Sequence, residues 1–127
     1  MRLAAKQHRF SYLIGALLVW AYESNFKVSF GHAYRDYETQ KKLFDMGRSD
    51  TMKSKHMDRL AIDLNLFIKG CSGKYYYTDK PMDYLAIGTY WEMLGHSEGQ
   101  KQETRWGGRI KLKNGGTDPG HFEFIGK

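Results

Sequence analysis

Cysteine occurs once in this sequence of 127 residues, at Cys71, which excludes an internal disulfide framework and any structural zinc site built on thiolates. Proline is also scarce. Pro81 and Pro119 are the only two, and no repeat, low-complexity tract or linker-like stretch divides the chain. Residues 1–127 are therefore expected to form a single domain. No apolar run approaches the roughly 20 residues that a membrane-spanning helix needs, so stable membrane insertion is not expected. What is present is enough for a core: 41% hydrophobic and 15% aromatic residues exclude a wholly disordered chain. The 20 Lys and Arg exceed the 14 Asp and Glu, for a net charge of +6. That balance suits an anionic partner, whether nucleic acid, lipid or a charged polymer, and does not choose among them.

The uncharged run from Phe10 to Tyr22 follows Lys6 and Arg9, and Val19-Trp20-Ala21 has the look of an export cleavage site. Its spacing argues for a packed helix instead. Phe10, Leu13, Ile14, Leu17, Leu18 and Ala21 follow the i, i+3, i+4 rule, and the alternating strand Lys27-Val28-Ser29-Phe30 comes directly after. A second helix is expected over 36–46, stopped at Gly47, then a polar loop over 48–55 and a strand over 60–66. Residues 70–80 read as a loop holding a short hairpin at Tyr75, Tyr76 and Tyr77. Thr78 or Asp79 would cap a third helix, with Pro81 in its first turn, ending near Leu94. The stretch 95–120 holds 7 of the 14 glycines and reads as loop plus a hairpin around 109–113. A last strand covers 121–125. The expected class is α+β, a small antiparallel sheet flanked by about three helices.

Two strands carry their polar residues in a pattern that has two readings. Leu60, Ile62, Leu64 and Leu66 share one face of the first, while Ala61, Asp63 and Asn65 share the other. In the last strand Phe122 and Phe124 oppose His121 and Glu123. Either these are ordinary half-solvated strands, or their polar faces meet across one cleft and bring Asp63 beside His121. His56, seven residues before Asp63, would sit at the mouth of the same strand. Two imidazoles and a carboxylate are a set that zinc accepts in catalytic sites, which use three protein ligands. Asp118, three residues before His121, would be a nearby unligated carboxylate suited to general-base work.

These residues carry a resemblance. Ser54-Lys55-His56-Met57-Asp58-Arg59-Leu60-Ala61-Ile62-Asp63 resembles the S-x-H-x(6)-D segment of zinc peptidases that cut peptidoglycan stem peptides. Asp118-Pro119-Gly120-His121 resembles their second motif. The family includes VanY-like D-alanyl-D-alanine carboxypeptidases and the L-alanyl-D-glutamate endopeptidases of phage endolysins, with a fold shared by the hedgehog signalling domain. Ala33-Tyr34-Arg35, the helix from Glu38 to Phe44, and Trp106-Gly107-Gly108 agree as well, so the resemblance spans about residues 10 to 125. One departure is Arg59, where many members carry glycine; alternation would put it on the face of Ala61 and Asp63.

The resemblance implies one zinc ion held by His56, Asp63 and His121, with Asp118 as general base. Arg35 would stabilise the oxyanion or hold a substrate carboxylate. Ser54 and Glu123 would support the ligands, and Trp106 would support the site, line a substrate groove or pack in the core. The implied reaction is hydrolysis of the L-alanyl-D-glutamate bond, or release of terminal D-alanine by the same site. The implied partner is bacterial peptidoglycan, met by a monomer that is made in the host cytoplasm without a clear signal peptide and acts on the wall or periplasm. Two other classes compete with this reading. A non-catalytic wall-binding module has no need of Asp118. A basic nucleic-acid protein would explain the charge, but no helix-turn-helix, zinc-finger or nuclease pattern is present, and Tyr75–Tyr77 lack the surroundings of a base-stacking module.

Overall fold

The computed structural model describes residues 1–127. Its elements run α1 (Leu3–Glu23), β1 (Lys27–Phe30), α2 (Tyr37–Asp45), β2 (Ala61–Lys69), β3 (Tyr75–Thr78), α3 (Leu85–Leu94), β4 (Thr104–Trp106) and β5 (His121–Phe124). Three 3-10 turns join them, at Lys55–Asp58, Pro81–Tyr84 and Gly107–Arg109. The five strands form one antiparallel sheet in the order β1-β2-β5-β4, with β3 paired to the far end of β2. The fold class is therefore the α+β arrangement expected.

Alternation in β2 and β5 decides which face is covered. Leu60, Ile62, Leu64, Leu66, Phe122 and Phe124 all point into one core, where α1 contributes Phe10, Leu13, Ile14, Leu17 and Ala21, and α3 contributes Ile87 and Trp91. The uncharged run of α1 is thus a packed helix face. Burying a side chain of this size contributes about 1.5–3 kcal/mol, so removing the α1 stripe would expose the underside of the sheet. No helix is long and apolar enough to cross a membrane. The opposite face of β2 and β5 is left for polar groups.

Four expectations are corrected. The third helix is not capped by Thr78 or Asp79; Thr78 ends β3, and Pro81 opens a 3-10 turn that leads into α3 at Leu85. No hairpin forms at 109–113. The strand lies earlier, at Thr104–Trp106, and pairs with β5. Trp106 does not line a groove: it is 3% exposed and packs in the core. Arg59 does not follow the alternation of β2, because it ends the 3-10 turn in the left-handed region, with φ of 57°. Glycine takes that conformation without a Cβ penalty, whereas arginine bears one. In this chain the Arg59 guanidinium lies 4.0 Å from the centroid of the Tyr34 ring, a cation–π contact that offsets part of the backbone cost.

Candidate metal centre

Asp63 sits near the start of β2, directly opposite His121 at the start of β5. Both project from the sheet face that the core leaves open. Backbone bonds pin Asp63 from the other side: its N–H donates to the His32 carbonyl at 2.7 Å, and its carbonyl accepts from Gly31 at 2.8 Å. His56 arrives from the 3-10 turn just before β2. Ser54 opens that turn, its Oγ accepting the His56 backbone N–H at 3.2 Å. Sequence spacing alone does not show this convergence; the antiparallel register of β2 and β5 produces it.

The orientation of each imidazole follows from its outer partner. His56 Nδ1 lies 2.9 Å from the Ala33 carbonyl, which only accepts, so Nδ1 carries a hydrogen and Nε2 is the nitrogen that faces Asp63 Oδ1, at 3.2 Å. His121 Nε2 lies 2.7 Å from Glu123 Oε1, and its Nδ1 lies 3.3 Å from the same Asp63 oxygen. One ligand atom from each of His56, Asp63 and His121 falls within 4.8 Å of the others. Two imidazoles whose outer nitrogens are tied to oxygen acceptors, and whose inner nitrogens converge on a carboxylate, could hold a divalent cation and supply its supporting shell. The residues present fit zinc.

Charge is strongly organised at this spot. Burial alone would raise the Asp63 carboxyl, but hydrogen bonds and charge from His121 and His56 outweigh it and hold the group well below the usual carboxylate range. Burial likewise opposes a charge on His121, yet its bonds to Asp63 and Glu123 raise it to about 9. Glu123 is only 4% exposed. Against the cost of burial, His121 and Arg105 keep its carboxyl low. Arg105, its cross-strand neighbour on β4, grips Glu123 Oε2 through Nε at 2.9 Å and Nη2 at 2.6 Å.

Asp118 precedes β5 on a glycine-bearing loop. Gly107 must lack a side chain there, since a Cβ would run into the Asp118 carbonyl; the two backbones also bond, Asp118 N–H to Gly107 O at 3.0 Å. Trp106 donates its indole N–H to the Pro119 carbonyl at 2.7 Å, so the core residue holds the loop from below. Asp118 keeps solvent contact, yet the protein around its carboxyl raises its pKa; His121 opposes that rise and Asp63 adds to it. A carboxyl with a raised pKa beside the donor set is suited to carrying a proton.

Arg35 lies next to Asp63, Nη2 to Oδ2 at 3.5 Å. Its Nε donates to His32 Nδ1 at 3.0 Å and its Nη1 to Gln40 Oε1 at 2.9 Å. Gln40 is the one buried residue of α2, and its amide nitrogen donates to Ser49 Oγ and the Thr51 carbonyl. Burial is the largest influence on Arg35 and lowers its pKa, while Asp63 and Asp118 raise it. A polar cavity of about 240 Å³ opens beside it, lined by His32, Tyr34, Arg35, Asp36 and Thr39. Sequence reasoning brought His56, Asp63, Asp118, His121 and Arg35 to this site but missed His32, Gln40 and Arg105. The alternation Thr104-Arg105-Trp106 was the available signal for Arg105; Gln40 had none beyond its place in a polar helix.

No protein-family model matches the chain, and no curated protein does. Among solved structures, the fold is similar to that of the L-Ala D-Glu endopeptidase ChiX of Serratia marcescens, with a TM-score of 0.58 and 21% identity. The likeness covers 77% of this chain and 66% of that one, just under two thirds of the endopeptidase. At this identity it is a likeness of fold.

Proposed function

We propose that this chain is a zinc-dependent peptidoglycan hydrolase that cuts the L-alanyl-D-glutamate bond of the stem peptide, in the manner of a phage endolysin acting on the wall or periplasm. The observation that carries the reading is the convergence of His56 Nε2, Asp63 Oδ1 and His121 Nδ1 with their outer partners satisfied, on a fold like that of an L-Ala D-Glu endopeptidase. When bound, zinc would supply Lewis-acid polarisation of the scissile carbonyl and a water acidic enough to react near neutral pH. The remaining steps belong to the protein. Asp118 accepts the proton of the attacking water on its carboxylate and passes it to the departing amine. Arg35 keeps two N–H groups beyond those bound to His32, Gln40 and Asp63, and these face the developing oxyanion or a carboxylate of the stem peptide seated in the adjoining cavity. The positive net charge supplies long-range attraction to the anionic wall, weakening as salt rises.

The same donor set would serve release of terminal D-alanine. An endopeptidase must admit chain on both sides of the bond, and the likeness of fold to an L-Ala D-Glu endopeptidase favours that reading.

The test uses His121. With its pKa at about 9 it holds a proton on both nitrogens at pH 7, and Nδ1 must lose one to ligate. Zinc added to metal-stripped protein is expected to bind at about one ion per chain. It should release more than one proton at pH 7, one from His121 and part of another from the water that zinc acidifies, and only the water's proton well above pH 9, as measured by calorimetry in buffers of different ionisation enthalpy. By the same sign, the metal-stripped protein keeps the His121 contribution to stability below pH 6.5 and loses it as pH rises through about 9. Binding at pH 7 without proton release would remove His121 from the ligand set.

A further inference from the structure

Beyond the metal centre, the open face of β2 continues for half the strand. Ile62, Leu64 and Leu66 are buried and Ile68 packs against the core, so Asp63, Asn65 and Phe67 line the other face in sequence. Neighbouring strands widen this strip. Ser29 of β1 is opposite Asn65 and accepts a hydrogen bond from its amide. Tyr77 of β3 is opposite Phe67, their ring centroids 5.8 Å apart at 65°. Tyr77 is 58% exposed. At about 3.3 Å per residue, the aromatic pair lies roughly 13 Å along the strand from Asp63.

The two directions away from Asp63 differ in chemistry. Toward the start of β2 lie the guanidiniums: Arg35 against Asp63, Arg59 at the turn before the strand, and Arg105 across from Glu123, which itself faces Ala61. Toward Phe67 lie amide, hydroxyl and aromatic groups, and the cations there are lysines: Lys27 opposite Phe67, its amine over the Tyr22 and Tyr75 rings, and Lys69 at the end of the strand. The planar forks of the guanidinium end suit the carboxylate-bearing side of a peptidoglycan stem, and the aromatic end suits its sugar side. On the D-glutamate side of the proposed cut the stem carries carboxylates; on the L-alanine side it joins an uncharged amino sugar through a lactyl link. One alanine and that link cover about 7 Å when extended, at roughly 3.5 Å per residue, which brings the first sugar over Asn65 and its neighbour over the aromatic pair.

We propose that Phe67 and Tyr77, approached across Asn65 and Ser29, form a subsite for the amino-sugar backbone of the substrate, so that the chain reads glycan as well as peptide. A pyranose ring offers an apolar C–H face to an aromatic side chain and keeps its hydroxyls and N-acetyl amide at the rim, where Asn65 and Ser29 supply hydrogen bonds. The inference rests on the peptidase reading for its direction, but not for its first measurement. Titrating the full-length protein with the β-1,4-linked tetramer of N-acetylglucosamine is expected to shift the NMR signals of Asn65, Phe67 and Tyr77, and the shifts should vanish in Phe67→Ala and Tyr77→Ala.

The second measurement compares a disaccharide-bearing stem peptide with the same peptide lacking sugar. Each variant should raise KM about tenfold for the sugar-bearing substrate, with kcat kept, and leave cleavage of the bare peptide within twofold. Absence of saccharide shifts in wild-type protein would overturn the subsite. Equal losses on both substrates would overturn it too, since they would mark the pair as structural. Saccharide shifts with neither peptide cleaved by wild-type protein would support the subsite and count against the peptidase reading.

Discussion

Asp118→Ala is expected to lower kcat by about 10²–10⁴-fold, the usual contribution of a positioned general base, while zinc remains bound at about one ion per chain. The separation of the two readouts follows from the geometry. His56, Asp63 and His121 bring their ligand atoms within 4.8 Å of one another, and Asp118 is not among them. Its carboxyl is nonetheless close enough to feel the charge of His121, Asp63, His56 and Arg35. The loop that carries it is held by the Trp106 indole and by the backbone contact with Gly107, neither of which involves its carboxylate, so the substitution should leave the fold in place. Zinc content by mass spectrometry and turnover on purified wall fragments decide the matter. Loss of zinc along with activity would make Asp118 a ligand and leave the site without its proposed base.

The next largest effect is expected at Glu123. Removing it in Glu123→Ala should weaken zinc binding about 10–100-fold and lower stability by about 3 kcal/mol, the range for supporting groups of metal ligands and for broken buried ion pairs. The substitution leaves the half-buried His121 Nε2–H without its acceptor and frees Arg105. Most of the cost should come from the histidine side. The Arg105 side chain is 52% exposed and can return to water, so Arg105→Ala is expected to cost less than about 1 kcal/mol. Competition with a chromogenic chelator gives the affinities and urea unfolding gives the stabilities. Equal and small effects from both substitutions would show that Glu123 does not hold His121. Because the Glu123 carboxyl is kept low, its contribution is present above the ordinary glutamate range and fades as pH falls through the depressed value.

What could be read from the residues was whatever alternation and spacing encode. The apolar stripe of α1 follows from helical periodicity and the two-faced pattern of β2 and β5 from side chains taking opposite sides of a strand, whereas the meeting of Asp63 and His121 needed the pairing register of the two strands. The missing pieces have local causes. β4 is three residues long, flanked by a glycine-rich turn, and takes its conformation from pairing with β5 rather than from its own propensity. The turn at Pro81–Tyr84 precedes α3 because Tyr84 is anchored elsewhere: its hydroxyl donates to the Thr78 carbonyl and accepts from Leu66 N–H. Arg59 broke the expected alternation because its backbone is left-handed, a feature that glycine would have announced and arginine conceals. Gln40 and His32 become meaningful only once the fold brings them to Arg35.

The claim that zinc at His56, Asp63 and His121 serves cleavage of a stem peptide is tested most directly on purified peptidoglycan, digested with zinc-loaded protein and read by mass spectrometry. New peptides beginning with N-terminal D-glutamate, absent when the protein is stripped by a chelator and restored by zinc, are the predicted result. Release of free D-alanine alone would make the same centre a carboxypeptidase, and digestion undiminished in the stripped protein, or no digestion at all, would contradict the account.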